Sequence, residues 1–353
     1  MSGKTIYILG AGFSYPAGIP SQGELLTQAI EYDYDWHELD ECRDRLLAFI
    51  EEVFGLNRIQ AKQLALEDIY TPIHQARVRN EFLKSNSPEK LHSVENDLNR
   101  LISHVIDNGR RGIVVGPYKT NSYVRRFTNR ILEAKKHRPT SDTVAILSLN
   151  WDILVDKHLF QTISDEEGTV DYGCHWVGIS DHDGIAPTLI AHQRGMYSVK
   201  LLKLHGSLNW LHCPQCSRLF IKKDEKIGIS GFIGSTNCRF CPDVRLGAAI
   251  LLPTFRKSLE SFHFQHIWNQ AAIELSEARK LVFIGYSFPL ADFDFRSLVT
   301  KHLGSSVTVD VVLYDESGGP TEIGNRYEAY FGDKIGKIYY DGVGDYVENH
   351  MQI

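Results

Sequence analysis

The sequence predicts an α/β protein: a Rossmann-like, doubly wound, mostly parallel sheet carrying a small zinc-binding lobe and a helical insertion. Three observations lead there. Five short runs, TIYIL (5–9), TVAILSL (143–149), AAILL (248–252), LVFIG (281–285) and VTVDVVLY (307–314), are almost continuously apolar, as strands covered by helices on both faces are. Between the first two runs the patterning is helical only. Four of the six cysteines stand as two C-x-x-C pairs.

Composition bounds the reading. A chain of 353 residues with 43% hydrophobic and 11% aromatic content can bury a sizeable core. The net charge of -6 argues against a wholesale nucleic-acid or anionic-membrane binder, so nucleic acid is not an evident partner. No stretch reaches the roughly 18 apolar residues that span a bilayer, and the first apolar run is too short and glycine-broken for a secretory signal. The expected location is the cytoplasm, where paired cysteines point to metal thiolates before disulfides. Cys42 and Cys174 stand alone and read as small apolar residues.

The first strand runs into YILGAGFSYPAGIPSQG (7–23) and then a helix-like segment. Glycines there permit a tight turn and close approach of backbone N–H groups to a pyrophosphate, while a following helix N-terminus favours the anion. A plain strand-to-helix turn explains the same residues equally well. The spacing is not G-x-G-x-x-G, so an ordinary dehydrogenase loop is not indicated.

Helices follow. Leu39, Leu46, Leu47, Ile50, Val53 and Phe54 share a face ahead of Gly55, a suitable C-cap. Ser93 is a candidate N-cap for a helix through Val94, Leu98, Leu101, Ile102 and Val105 that stops at Gly109, and Val124, Phe127, Ile131 and Ala134 form a further stripe. Residues 31–68 hold eleven acidic against four basic residues, and residues 109–138 nine basic against one acidic. Such faces are most simply solvated or paired with each other; a subunit or partner interface is the sharper reading.

ILSLNWDILVD puts Asn150 and Asp152 at the end of the second strand, where they either cap the next helix or hold a ligand. In LKLHGSLNWLHC, His205 ends an apolar strand ahead of a glycine and would project into the crevice at the carboxyl edge of the sheet; His212 reads as packing. Cys213 and Cys216, then Cys238 and Cys241, give two knuckles that close a tetrahedral site with no open position, so zinc would staple a lobe and not catalyse. The expected organisation is a core of 1–30, 140–205 and 245–353, a helical insertion of 31–139 and a zinc lobe of 206–244.

Taken in order, GAGFSYPAGIPS, LNWD, LHGS, the cysteine pairs, IGYS, VVLYDE and DGVGDYVENHM resemble the sirtuin (silent-information-regulator) family over residues 1–30 and about 140–353. The resemblance implies an NAD site. Gly10, Ala11, Gly12 and Ser14 would lie against the pyrophosphate and its ribose, and Ile19 and Pro20 near the nicotinamide. Asn150 and Asp152 would hold the nicotinamide pocket or a water, with His205 as general base at the ribose. Gly285 and Ser287 would bind the phosphate side, and Tyr314 and Asp315 the adenosine.

The departures are informative. Ser21-Gln22-Gly23 replaces the Asp-Phe-Arg of deacetylases, Leu149 replaces a glutamine, and ILLPTFRKSLE stands in place of the peptide-docking FGE. LLPTFRKS, IWNQA and IGYSFPLADFDFRSLV resemble instead a divergent prokaryotic branch that cleaves NAD, typically as antiphage defence effectors. The resemblance thus implies an NAD glycohydrolase with NAD as substrate, structural zinc, self-association, and an NTPase or sensor as partner. An NAD-dependent protein-lysine deacylase and a non-catalytic module sensing NAD or ADP-ribose are the competing expectations.

Overall fold

The strands are, in chain order, Lys4–Leu9 (β1), Val144–Ser148 (β2), Gly168–Asp171 (β3), Trp176–Gly178 (β4), Ile185–Ala186 (β5), Tyr197–Lys203 (β6), Gly206–His212 (β7), Leu219–Ile221 (β8), Gly247–Ile250 (β9), Ala278–Ile284 (β10), Thr308–Val312 (β11) and Ile335–Tyr339 (β12). The helices are Ala11–Ser14 (α1), Gln22–Glu31 (α2), His37–Phe54 (α3), Arg58–Ala61 (α4), Leu66–Arg79 (α5), Pro88–Arg111 (α6), Ser122–His137 (α7), Leu154–Thr162 (α8), Phe262–Glu277 (α9), Phe293–His302 (α10), Glu322–Phe331 (α11) and Gly342–Asp345 (α12). This is a computed structural model, and it describes residues 3–111, 122–137, 142–163, 167–179, 185–186, 197–222, 236–251, 262–316 and 318–352.

Seven strands form one parallel sheet in the order β12-β11-β10-β1-β2-β6-β3. From β1 the chain passes to β2, then to the edge strand β3, inserts β6 between those two, and crosses back to place β10, β11 and β12 on the other side. This is the doubly wound order, and its switch point lies between β1 and β10, where ligand crevices form. The residues of β2 are all buried, and Ile6 to Leu9 of β1 and Leu281 to Ile284 of β10 are no more than 1% exposed, because helices cover both faces.

AAILL (248–252) does not join this sheet. Its first three residues, with Gly247 ahead of them, form β9, antiparallel to β7 in a second, five-stranded sheet of order β5-β4-β8-β7-β9. A short apolar run shows burial but not its pairing partner. The second sheet thereby takes β4, β5 and β9 from outside 206–244. β3 and β12 were not expected, because their four and five residues are partly exposed and carry no long apolar run.

Between β1 and β2 the helices are of two kinds. α2, α3 and α5 pack on α6, and α3 stops at Gly55, whose φ of 70° supplies the left-handed cap. α6 starts at Pro88 and runs through both Ser93 and Gly109, so neither bounds it; its long apolar stripe outweighs the local cap signals. α7 belongs with the sheet: it packs on α8 and β6, and Phe127 meets the rings of Tyr7 and Phe13 at 5.3 and 5.2 Å.

The charged stretches do not pair with each other among the described residues. Arg45 grips Asp97 of α6 through two bonds of 2.7 and 2.8 Å, whereas Arg126 and Arg130 of α7 engage Glu348 and the Met351 carbonyl near the C-terminus. Residues 112–121 and 138 of the basic stretch, and 252–260 of ILLPTFRKSLE, lie outside the described residues. Among the described residues no helix is long and apolar enough to cross a membrane.

Candidate functional site

Two loops leave the sheet at the switch point and lie backbone to backbone. Gly10 N–H donates to the Ile284 carbonyl at 3.0 Å and Gly12 N–H to the Gly285 carbonyl at 2.7 Å. Gly285 has φ +60°, and a Cβ there would sit 2.2 Å from the Gly12 carbonyl carbon. The glycines are therefore required first by the approach of the β1 and β10 loops to each other. The turn enters the four-residue α1 and a short 3-10 turn at Tyr15–Ala17, not a long helix. The N-terminus of α2 comes later and is occupied by its own Glu24, which accepts from Ser21 N–H at 2.8 Å.

Asn150, just past β2, reaches across this turn. Its amide Nδ2 donates to the Gly10 carbonyl at 2.9 Å and to Ser14 Oγ at 3.2 Å. Ser14 in turn donates to Asp152 Oδ2 at 2.6 Å, and Asp152 Oδ1 accepts Leu154 N–H at 3.0 Å, at the start of α8. Asp152 is buried with both oxygens engaged inward, so it positions Ser14 and Asn150. With both amide hydrogens used, the side-chain oxygen of the half-exposed Asn150 has no hydrogen-bond donor among the described residues. It is an acceptor held ready for a water or hydroxyl.

A buried trio supports this corner. Lys203 Nζ donates to the Asp152 backbone carbonyl and to Asp156 Oδ2, the latter at 3.0 Å. Tyr172 OH donates to Asp156 Oδ1 at 2.6 Å. Burial, and then the Asp156 charge, hold the Tyr172 hydroxyl far above the usual phenol range. These residues were not singled out in the sequence, since a lysine ending a strand reads as a surface residue.

His205 follows β6, fixed by the bond from Trp268 Nε1–H to the Leu204 carbonyl at 2.9 Å. Its Nδ1 lies 3.0 Å from the Leu149 carbonyl. A carbonyl only accepts, so Nδ1 carries the hydrogen, and in the neutral ring Nε2 bears the lone pair. Nε2 lies 3.7 Å from Asp292 Oδ1, and Asp292 Oδ2 accepts from Tyr286 OH at 2.7 Å. Asp292 was missed because nothing local separates it from Asp294 or from an ordinary helix cap.

The remaining candidates are spread along the same edge. Ile19 and Pro20 are buried in the turn after α1. Ser287 is exposed past β10, with Arg326 Nη1 donating to its carbonyl at 2.9 Å. Tyr314 is 70% exposed past β11, and Asp315 is half-buried, its N–H donating to the Tyr340 carbonyl at 3.0 Å. Direct bonds thus join Gly10, Ser14, Asn150 and Asp152, and separately Gly12 with Gly285, while His205 meets the neighbouring Leu149. Ser287, Tyr314 and Asp315 stand further along the edge, past β10 and β11.

The second sheet carries the cysteines. The Sγ atoms of Cys213, Cys216, Cys238 and Cys241 all lie within 4.8 Å of one another, and those of Cys216 and Cys238 are 3.7 Å apart. Zn–S bonds of about 2.3 Å in a tetrahedron give S···S edges of about 3.8 Å, so the residues fit a four-cysteine zinc site. None forms a disulfide. Burial and the neighbouring thiols push Cys241 up to about 12, a clustering penalty that a divalent cation reverses. Zinc bound there would supply folding energy to the lobe. Cys238→Ser is expected to lower bound zinc from about one per chain to below about 0.2 and to melt the lobe first, read by elemental analysis and hydrogen exchange.

No protein-family model matches the chain, and no curated protein matches it. Among solved structures it is similar to a Sir2 with a p53 peptide and NAD+, at 13% identity over 98% of this chain and 90% of that one, with TM-score 0.42. It is similar to Sir2Tm bound to a propionylated peptide at 13% identity, 98% and 90% coverage and TM-score 0.41. It is also similar to a chain from a study of the mechanism and regulation of Sir2 enzymes, at 13% identity, 99% and 90% coverage and TM-score 0.41.

Proposed function

We propose that the protein is an NAD glycohydrolase that cleaves NAD to nicotinamide and ADP-ribose. The observation that carries this reading is the Asn150 side-chain oxygen, left as an acceptor over the glycine turn while its amide is tied to Gly10 and Ser14. The ordered motifs quoted above supply the choice of NAD.

Nicotinamide departs from a carbon with oxocarbenium character, so the site must orient a nucleophile on the opposite face and take its proton. Asn150 orients the water through its oxygen. His205 accepts the proton on Nε2, its ring fixed by the Leu149 carbonyl. Gly10, Ala11, Gly12 and Ser14 would flank the pyrophosphate, with Ile19 and Pro20 beneath the nicotinamide side. Gly285, Ser287, Tyr314 and Asp315 would carry the phosphate and adenosine along the edge.

An enzyme that empties a cell of NAD must be held silent. We therefore read it as a regulated cytoplasmic effector of bacterial antiphage defence, controlled through the helical insertion, homo-oligomerisation, or an NTPase or sensor partner. The test is to incubate purified protein with NAD near neutral pH and separate the products by chromatography, with an acetyl-lysine peptide in a parallel arm. Free ADP-ribose and nicotinamide without peptide are expected, falling roughly 10²- to 10³-fold in His205→Ala. Peptide-dependent nicotinamide release would assign a deacylase, and NAD binding without turnover a sensing module.

A further inference from the structure

We propose that Asp292 is a positioning residue that holds the proton His205 accepts, an inference that rests on the assignment of His205 as proton acceptor. Asp292 stands at the N-cap of α10, where an aspartate ordinarily accepts a bond from the first-turn N–H groups. Its side chain makes no such bond. It turns instead toward the site, accepting from Tyr286 OH at 2.7 Å and lying 3.7 Å from His205 Nε2.

The tautomer gives this contact its meaning. With the hydrogen on Nδ1, the Nε2 lone pair faces a carboxylate and the two only repel. Once Nε2 takes a proton, the same pair becomes an ion pair. The His205 and Asp292 side chains are 14% and 8% exposed, so the attraction is little screened by water. During hydrolysis the attacking water forms its bond to the ribose carbon and gives its proton to Nε2. Nicotinamide leaves with the C–N electron pair, Asp292 stays ionised, and the imidazolium later releases the proton to solvent.

The loop bearing Asp292 is held in place. Phe288, fully buried, sits at φ +50°, a conformation a bulky residue keeps only when its surroundings over-determine it. Tyr330 and Tyr327 pack on its ring at 4.6 and 5.2 Å, and the Arg296 guanidinium lies 4.4 Å from it while donating to the Phe288 carbonyl at 3.1 Å. The β10–α10 connection therefore presents Asp292, with Tyr286 behind it, to the imidazole. The β2 end meets the ring through the Leu149 carbonyl, β6 leads into it through Leu204, whose carbonyl takes the Trp268 bond, and Asp152 is turned onto Ser14.

The experiment compares wild type with Asp292→Asn and Asp292→Glu. The asparagine keeps the size and can still accept from Tyr286. Its kcat for NAD cleavage is expected to fall about 10- to 100-fold while KM changes less than about threefold. In ring-nitrogen NMR at about pH 6.5, the protonated fraction of His205 is expected to fall by half or more, and Asp292→Glu to recover part of it. An unchanged protonated fraction, or a loss carried entirely by KM together with a lowered Tm, would overturn the proposal. If wild type cleaves no NAD, the NMR comparison alone decides, so this inference and the NAD-cleavage reading fail separately.

Discussion

Asn150→Ala is expected to lower the turnover of NAD by about 10³-fold, the largest catalytic effect in the molecule. The substitution removes two functions at once. The acceptor proposed to orient the nucleophile disappears, and the two amide hydrogens that tie the β2 end to Gly10 and Ser14 go with it. Steady-state kinetics measure it, with a thermal melt alongside. Because Asn150 is half-exposed and outside the apolar core, Tm is expected to move by no more than about 3 °C. Asn150→Asp separates the two functions: a carboxylate retains an acceptor but cannot donate to the Gly10 carbonyl, and it meets Asp152 behind Ser14. Turnover in Asn150→Asp comparable to wild type would contradict the role given to the amide.

Lys203→Met is expected to give the largest loss of stability from a single polar substitution. Lys203 and Asp156 are 1% and 2% exposed, and removing one partner leaves a buried carboxylate without its cation. Breaking such a pair costs about 3–5 kcal/mol, and for a chain of this size that is roughly 4–7 °C in Tm. Removing both partners leaves no uncompensated charge, so Lys203→Met with Asp156→Leu is expected to recover most of the loss. Recovery is completed by Tyr172→Phe, since the Tyr172 hydroxyl otherwise loses its acceptor. A double variant no more stable than Lys203→Met would show that the lysine acts through packing and not through charge. The same trio holds the Asp152 carbonyl, so Lys203→Met should also weaken turnover.

Much of the α/β core was legible in the chain because buried parallel strands leave long apolar runs. Four of the five quoted runs became β1, β2, β10 and β11. The cysteine lobe was legible because thiol spacing is local chemistry. AAILL was misplaced because its residues are as apolar as the others while its hydrogen-bonding partner, β7, is set by the lobe. The cap signals at Ser93 and Gly109 yielded to the stripe of α6, since burying a whole face outweighs one terminal bond.

For the site, sequence alone determined the residue types at the strand ends: Asn150, His205, the glycine turn and the four cysteines. Only the tertiary structure decided their use. Gly285 is required because a second loop lies against the first, Asp152 faces inward to Ser14 and α8, and Asp292 declines its helix cap to face His205. Spacing along the chain records which groups are available, whereas a proton's path depends on distances of a few ångströms between residues as far apart in sequence as His205 and Asp292. The fold sets those distances by bringing the ends of β1, β2, β6 and β10 to one edge.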